Sequence, residues 1–260
     1  AALLDLGADK SVLEKALNSM NLENEFEYKI SEKMVNAIKA TDFDVIMKSE
    51  PHEYELNHEH SHEHSHSHHN HHEHTHEHNE HYHAGSSHIH IHRNLADINA
   101  IIDKVDATKD AKDLAKRIFK IVAQAESKVH AKPIDEIHFH EIGAIDSIAD
   151  IVSFAVLFDN LKPNKVYFKT LTEGCGSVVC QHGEMSVPVP AVCEIASEYK
   201  LPIRLTDNNG EMITPTGAAI AAALYTGEAL PQQLIIKKTG YGAGKRPYTN
   251  PVLRIFMFEE

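Results

Sequence analysis

Between Asn57 and Arg93 the chain reads HEHSHEHSHSHHNHHEHTHEHNEHYHAGSSHIHIH, which places 17 of its 22 histidines within residues 58–92. Neutral imidazole is the commonest protein ligand for borderline divalent ions, and zinc, copper and nickel all suit it. The ligand candidates are His60, His62, His64, His66, His68, His72, His74, His76 and His78, interleaved with Glu59, Glu63, Glu73, Glu77 and Glu80 and with no Lys or Arg. Nothing in the stretch repels a cation at neutral pH. It has too few apolar residues to offset the entropy of ordering, so it is expected to be disordered without metal. The plainer readings are a solvated linker or a purification tag. A tag is disfavoured because the run is internal and irregular, broken by Glu, Ser and Asn. Affinity order alone does not name the metal.

A second group of metal-ligating types is denser and sits in ordinary globular sequence: His138, His140, Glu141, Asp146 and Asp150, within PIDEIHFHEIGAIDSIAD. On a strand, His138 and His140 share a face. On a helix, Asp146 and Asp150 stand at i and i+4 and share a face as well. Two imidazoles meeting two carboxylates across the Gly143 turn make a workable site for a divalent metal, or for a metal with a general base. The plainer reading is that acids in a first helical turn complement the macrodipole while a histidine satisfies buried backbone. In EGCGSVVCQHGEMSVPVP, Gly174, Gly176 and Gly183 flank His182, either a ligand or acid–base group or an exposed residue of a tight hairpin. Finally, Thr214, Pro215, Thr216 and Gly217 open a helix, and Gly240, Gly242 and Gly244 precede Lys245 and Arg246. Helix starts and glycine nests aim N–H groups at anions, so a phosphate-bearing ligand fits. GYGAG is not a dinucleotide fingerprint, because Pro247 and a strand-like run follow it where that motif needs a helix; taken alone it is more often a structural turn.

The elements that must hold these groups can be read from periodicity. Residues 1–50 predict a helix, then a strand in EFEYKI with Phe26, Tyr28 and Ile30 alternating, then another in FDVIMK. Leu95, Ile98, Ile101, Ile102 and Val105 are spaced for one helix; Leu114, Ile118, Ile121, Val122, Ala125 and Val129 are spaced for a longer one, with Thr108 as N-cap. A short strand or turn is expected at 137–141 and a helix buried nearly all round at about 145–161. VYFKT, SVVCQ and EMSVPV have strand composition. An alanine-rich helix opens with Thr214 as N-cap and Pro215 at N1, and QQLIIKKTGYGAG and PVLRIFMFEE predict paired strands flanking a glycine turn. The fold class is α/β, a mixed sheet with packed helices. It divides into an N-terminal α/β segment (1–51), a disordered His-rich insertion (52–93) and an α/β stretch carrying the motifs (94–260), one mixed domain in all.

Net charge is −13, of which the histidine tract supplies −5, and an acidic balance argues against nucleic acid as the main partner. Cys175, Cys180 and Cys193 show neither C-x-x-C spacing nor disulfide density, so a reducing cytoplasm is expected. No apolar run approaches a membrane span, and the opening AALLDLGAD is no signal peptide, so no membrane partner is expected. The first residue is not Met, and a preceding segment is expected.

HFHEIGAIDSIADI, GCGSVVCQHGEMSVPVPA, TPTGAA and GYGAGKR, in this order and with a His-rich insertion at the matching place, resemble the nickel-insertion (LarC) family of the nickel-pincer, or lactate racemase, cofactor pathway. The resemblance covers nearly all of residues 1–260. It implies a nickel-binding, chelatase-type lyase that places Ni(II) in pyridinium-3,5-bisthiocarboxylic acid mononucleotide, driven by CTP with a divalent cation, Mg or Mn. Lactate racemase or a similar nickel-pincer enzyme would receive the cofactor, and a homo-oligomer is the expected assembly. The family opens with an acidic, Gly- and Ser-rich segment ahead of the first helix here and continues into a C-terminal domain associated with CTP. The chain is therefore expected to be the nickel-handling N-terminal portion, working with that C-terminal half. On this reading His138, His140, Glu141, Asp146 and Asp150 are ligands or base, with Glu141 and Asp150 favoured as base and His182 close by. The phosphate would sit at Thr214–Gly217 or in the Gly240–Arg246 loop, and the tract would feed nickel to the ordered site. The rivals are a non-catalytic nickel or zinc store, and a CTP-using nucleotidyltransferase, for which this segment lacks a triphosphate loop.

Overall fold

A computed structural model describes residues 1–48, 93–137, 145–180, 183–246, 248 and 252–259. The chain opens with two short helices, α1 (Ala2–Leu6) and α2 (Lys10–Asn18), the second capped by Asp9, whose carboxylate accepts the Ser11 N–H. Strands β1 (Phe26–Val35) and β2 (Ile38–Met47) follow as one long antiparallel hairpin. The expected alternation holds: Tyr28 stands opposite Val45 and Ile30 opposite Phe43, all four packed against the core. Both strands run longer than their composition predicts. Their turn is Asn36–Ala37, both with positive φ, the two-residue geometry that matches strand twist; without an Asn-Gly pair it leaves little mark in the sequence.

After the undescribed residues 49–92 come α3 (Leu95–Lys104) and α4 (Lys109–His130). Asn94 and Asp97 close a capping box on α3, and Thr108 caps α4 as expected by accepting the Ala111 N–H. Buried Arg93 pairs with the Glu25 carboxylate at 2.5 Å, and the Lys48 N–H donates to the Glu25 carbonyl at 2.9 Å. The chain therefore leaves and re-enters the fold at one residue, and the parts on either side belong to one compact unit.

Helix α5 (Ile145–Leu161) is the central element, contacting α1, α2, α4, β2 and α7 (Pro215–Leu224). Its buried residues run almost round the helix, from Ile145, Ile148 and Ala149 to Val156 and Leu157, as its composition requires. Before it, a single 3₁₀ turn at Ile134–Glu136 leads to buried Ile137; the rest of the expected 137–141 strand lies outside the described residues. Two expectations are corrected. VYFKT is not a strand: the pairing begins one step later, in β3 (Leu171–Cys175), which runs parallel to β6 (Ile203–Asn209). Instead Tyr167 and Phe168 spend their aromatic rings on tertiary contacts with Phe258 and Tyr225. SVVCQ and EMSVPV pair as the hairpin β4 (Ser177–Cys180) and β5 (Gly183–Ser186), followed by α6 (Pro190–Tyr199).

The main sheet has the order β1-β2-β7-β8, with β7 (Ile235–Ala243) and β8 (Val252–Glu259) antiparallel as expected. The second correction is here. Gly240 and Gly242 belong to β7 and not to the turn, because α1 lies directly on them: a Cβ at Gly240 would meet Leu6 N at 2.6 Å, closer than side-chain atoms approach. Among the described residues no helix is long and apolar enough to cross a membrane.

Candidate metal and phosphate site

The start of α5 gathers charge from three distant parts of the chain. Asp146 and Asp150 lie one turn apart, and Asp146 Oδ1 accepts the Ser147 N–H at 2.7 Å. Asp44 of β2 pairs with Lys245, two residues beyond the end of β7. The Asp150 carboxyl is pushed up to about 6, first by burial and next by the like charge of Asp146; Lys245 pulls it down and Asp44 adds to the rise. Asp150 keeps a solvent-open side, so it is crowding by surrounding chain, not enclosure, that disfavours its charge. A carboxyl that titrates near 6 is mostly ionised at neutral pH yet basic enough to take a proton from a reacting group.

What holds Asp44 and Lys245 in reach of α5 is a narrow junction. Strands β2 and β7 are parallel and register only at Thr41 and Gly242. Asp5 of α1 bridges the gap: its Oδ2 accepts the Tyr241 N–H at 2.8 Å and its Oδ1 accepts the Thr41 hydroxyl at 3.3 Å. The carboxylate substitutes for the ladder bonds that a divergent parallel pair lacks.

A second assembly is built on Glu173, whose side chain is fully buried in β3. Its Oε1 accepts three N–H groups, from Gly174 at 2.8 Å, Met212 at 2.7 Å and Ile213 at 3.1 Å. The Thr206 hydroxyl donates to its carbonyl at 2.9 Å. Gly174 is required here, because a Cβ would collide with the carbonyls of Asn208 and Gly210 as the irregular β6 edge folds over it. The same loop receives the β7–β8 connection: Arg246 Nη1 donates to the Glu211 carbonyl at 2.7 Å, and the Tyr248 hydroxyl donates to that carbonyl too. Thr214 then caps α7, accepting the Gly217 N–H at 3.1 Å.

The structure thus brings Asp150, Asp146 and Lys245 together, and sets Arg246 on the Glu211 carbonyl, three residues before Thr214, with Thr216 and Gly217 following in the first turn of α7. Gly240 and Gly242 lie in β7 beneath α1, and Gly244 opens the loop beyond. His138, His140, Glu141, His182 and the tract histidines from His60 to His78 lie outside the described residues. Among the described residues no three His, Cys, Asp or Glu side chains converge closely enough to hold a metal ion. Sequence reasoning missed Asp5, Asp44 and Glu173. The available signal was an acid inside a strand-like run, ATDFDVIM for Asp44 and LTEGC for Glu173, since a charge at such a position needs a partner.

The nickel insertion protein family model matches residues 1–260. A pyridinium-3,5-bisthiocarboxylic acid mononucleotide nickel insertion protein of Alkaliphilus metalliredigens is 46% identical over 262 residues, covering 100% of this chain and 57% of the relative. Proteins of the same name from Acetivibrio thermocellus (40% identical over 245 residues, 94% of this chain and 53% of the relative) and Clostridium acetobutylicum (46% over 262 residues, 100% and 60%) are also similar. The chain therefore spans a little over half the length of these relatives. No solved structure matches it.

Proposed function

This chain belongs to the nickel insertion protein family, and we propose that it binds Ni(II) and takes part in inserting it into pyridinium-3,5-bisthiocarboxylic acid mononucleotide, the substrate its relatives are named for. The observation that carries the reading is the acid pair at the α5 start, with Asp150 raised to about 6. This pair follows His138, His140 and Glu141 within a dozen residues. Two carboxylates alone do not retain a borderline ion; with these imidazoles they make a mixed N/O set suited to nickel, which is here a substrate in transit.

Joining nickel to a ring carbon breaks a C–H bond. The bonding pair goes to the new carbon–nickel bond and the proton must go to a base. Asp150 or Glu141 takes it, with His182 as a further acid–base candidate. The nucleotide phosphate is held either at Thr214, Thr216 and Gly217 or by the loop running from Gly240 through Gly242 and Gly244 to Lys245 and Arg246. The histidine tract collects nickel in weak, exchangeable sites and delivers it at high local concentration. Anchoring of both flanks at Glu25 supports an insertion that can be removed without unravelling the fold. Completion as a chelatase-type lyase uses CTP with Mg or Mn through a C-terminal half, and the product serves lactate racemase or a similar enzyme; a homo-oligomer in the cytoplasm is the assembly this reading expects.

The test is pincer-cofactor formation by the full-length protein with residues 58–92 deleted, supplied with CTP, a divalent cation, saturating nickel and the thiocarboxylated precursor. Retained activity that falls only at limiting nickel, together with loss of activity in His140→Ala and in Asp150→Asn at saturating nickel, is the expected result. The composition of the tract also favours a storage protein; activity abolished by the deletion with the fold intact would replace insertion by storage.

A further inference from the structure

The start of α7 looks from its sequence like an anion seat, and the structure shows most of the amides around it already taken. Of its first-turn donors, Pro215 has no N–H, the Gly217 N–H is taken by the Thr214 hydroxyl and the Ala218 N–H by the Thr214 carbonyl. Among the described residues this leaves the N–H groups of Thr214 and Thr216. The two N–H groups immediately ahead of the cap, on Met212 and Ile213, both go to Glu173 Oε1. Glu173 is 0% exposed, and its Oε2 is buried without a hydrogen-bond partner among the described residues. A helix start normally attracts an anion because unpaired N–H groups and the macrodipole act together. Here the chain's own carboxylate has taken the two amides just ahead of the cap, and a phosphate arriving beside it would meet two backbone donors and a like charge.

The neighbouring loop offers the opposite. Arg246 projects next to the same segment, its side chain about half exposed at 47%, with Nη1 on the Glu211 carbonyl and Nη2 3.5 Å from the Glu211 carboxylate. Nη1 also donates to the Tyr248 hydroxyl at 3.1 Å; a guanidinium has five N–H donors in a planar fork, more than these contacts use. Lys245 stands next to it in sequence, 64% exposed, paired to Asp44.

We infer that Glu173 is a specificity-determining residue, the resident anion that closes the α7 start to phosphate and so assigns the phosphate of the substrate to Arg246 in the β7–β8 loop. The inference rests on the proposed mononucleotide substrate, but not on nickel, so it is tested without metal. Inorganic phosphate is titrated into the full-length protein by calorimetry, with thermal melting to confirm the fold of each variant. Arg246→Met is expected to weaken phosphate roughly tenfold or more, the loss of a charge-assisted bond. Glu173→Gln keeps an oxygen for the three N–H groups while removing the charge, and is expected to bind phosphate about three- to tenfold more tightly or to gain a second site. Phosphate affinity within twofold of the parent in Arg246→Met overturns the inference, which also covers the case in which Glu173→Gln does not fold. Unchanged or weaker binding in a folded Glu173→Gln overturns it as well, as does failure of phosphate to bind either protein. Activity lost in Asp150→Asn bears on the nickel reading alone, so the two can fail separately.

Discussion

Replacing Asp5 by Ala should cost this fold more than any other single exposed-side change to α1, because one carboxylate joins two hairpins. The Tyr241 N–H at 2.8 Å is a charge-assisted bond to backbone, worth about 1.5–3 kcal/mol. The Thr41 hydroxyl at 3.3 Å is long and adds little. With β2 and β7 registering only at Thr41 and Gly242, no ladder bond takes over when the carboxylate is removed, and the part-buried Tyr241 N–H is left unpaired. The expected loss is about 2–3 kcal/mol, a fall in Tm of roughly 4–12 °C for a unit of this size. Asp5→Asn keeps an acceptor oxygen and should lose about 1 kcal/mol. Urea and thermal denaturation give the energies, and hydrogen exchange at the Tyr241 amide locates the effect. An Asp5→Ala loss below about 0.5 kcal/mol, or equal losses for Ala and Asn, would show that the sheet does not depend on this bridge.

Two further outcomes follow from the geometry. An acid whose pKa is higher folded than unfolded holds its proton more tightly in the folded state, so Asp150 costs stability as pH rises from its ordinary 3.8 to about 6, and the cost is constant above that; Asp150→Asn should therefore raise Tm at pH 8 and not below about pH 4, and a gain at acid pH would contradict the assignment. Gly240→Ala forces α1 off β7 and should destabilise by about 1–3 kcal/mol, clearly more than Gly242→Ala, whose Cβ would sit 2.9 Å from the nearest atom; the opposite order in urea titrations would mean that α1 docks differently.

Much of this fold was legible because its signals are local. The periodic helices α3, α4 and α5, the Thr108 and Thr214 caps and the β7–β8 pairing each declare themselves within a dozen residues. VYFKT misled because the same aromatic and β-branched residues that suit a strand also suit tertiary ring contacts, and only distant Phe258 and Tyr225 decide between them. The acids at Asp146 and Asp150 could be singled out by their i, i+4 spacing, but not the raised Asp150 pKa, which depends first on burial by the surrounding chain and only then on the like charge of Asp146.

Asp5 and Glu173 show why the remainder was out of reach. Asp5 meets the amide of a residue 236 positions away, and Glu173 meets amides 39 and 40 positions on. Asp5 carries no motif, and Glu173, although it opens EGCGSVVCQHGEMSVPVP, gives no local sign that its side chain is buried. In both cases the chain uses a carboxylate where backbone donors could not be paired by regular structure: at a divergent parallel junction for Asp5, and at the irregular edge of β6 for Glu173. Buried donors have to be satisfied, so irregular backbone next to a glycine-dense motif is where an unpredicted acid should be sought. The glycines of EGCGS and GYGAG advertise close backbone approach and draw attention to themselves as anion nests. What they accommodate in this molecule is neighbouring chain, folded over Gly174 and laid across Gly240, with a nearby carboxylate collecting the amides that the close packing leaves over.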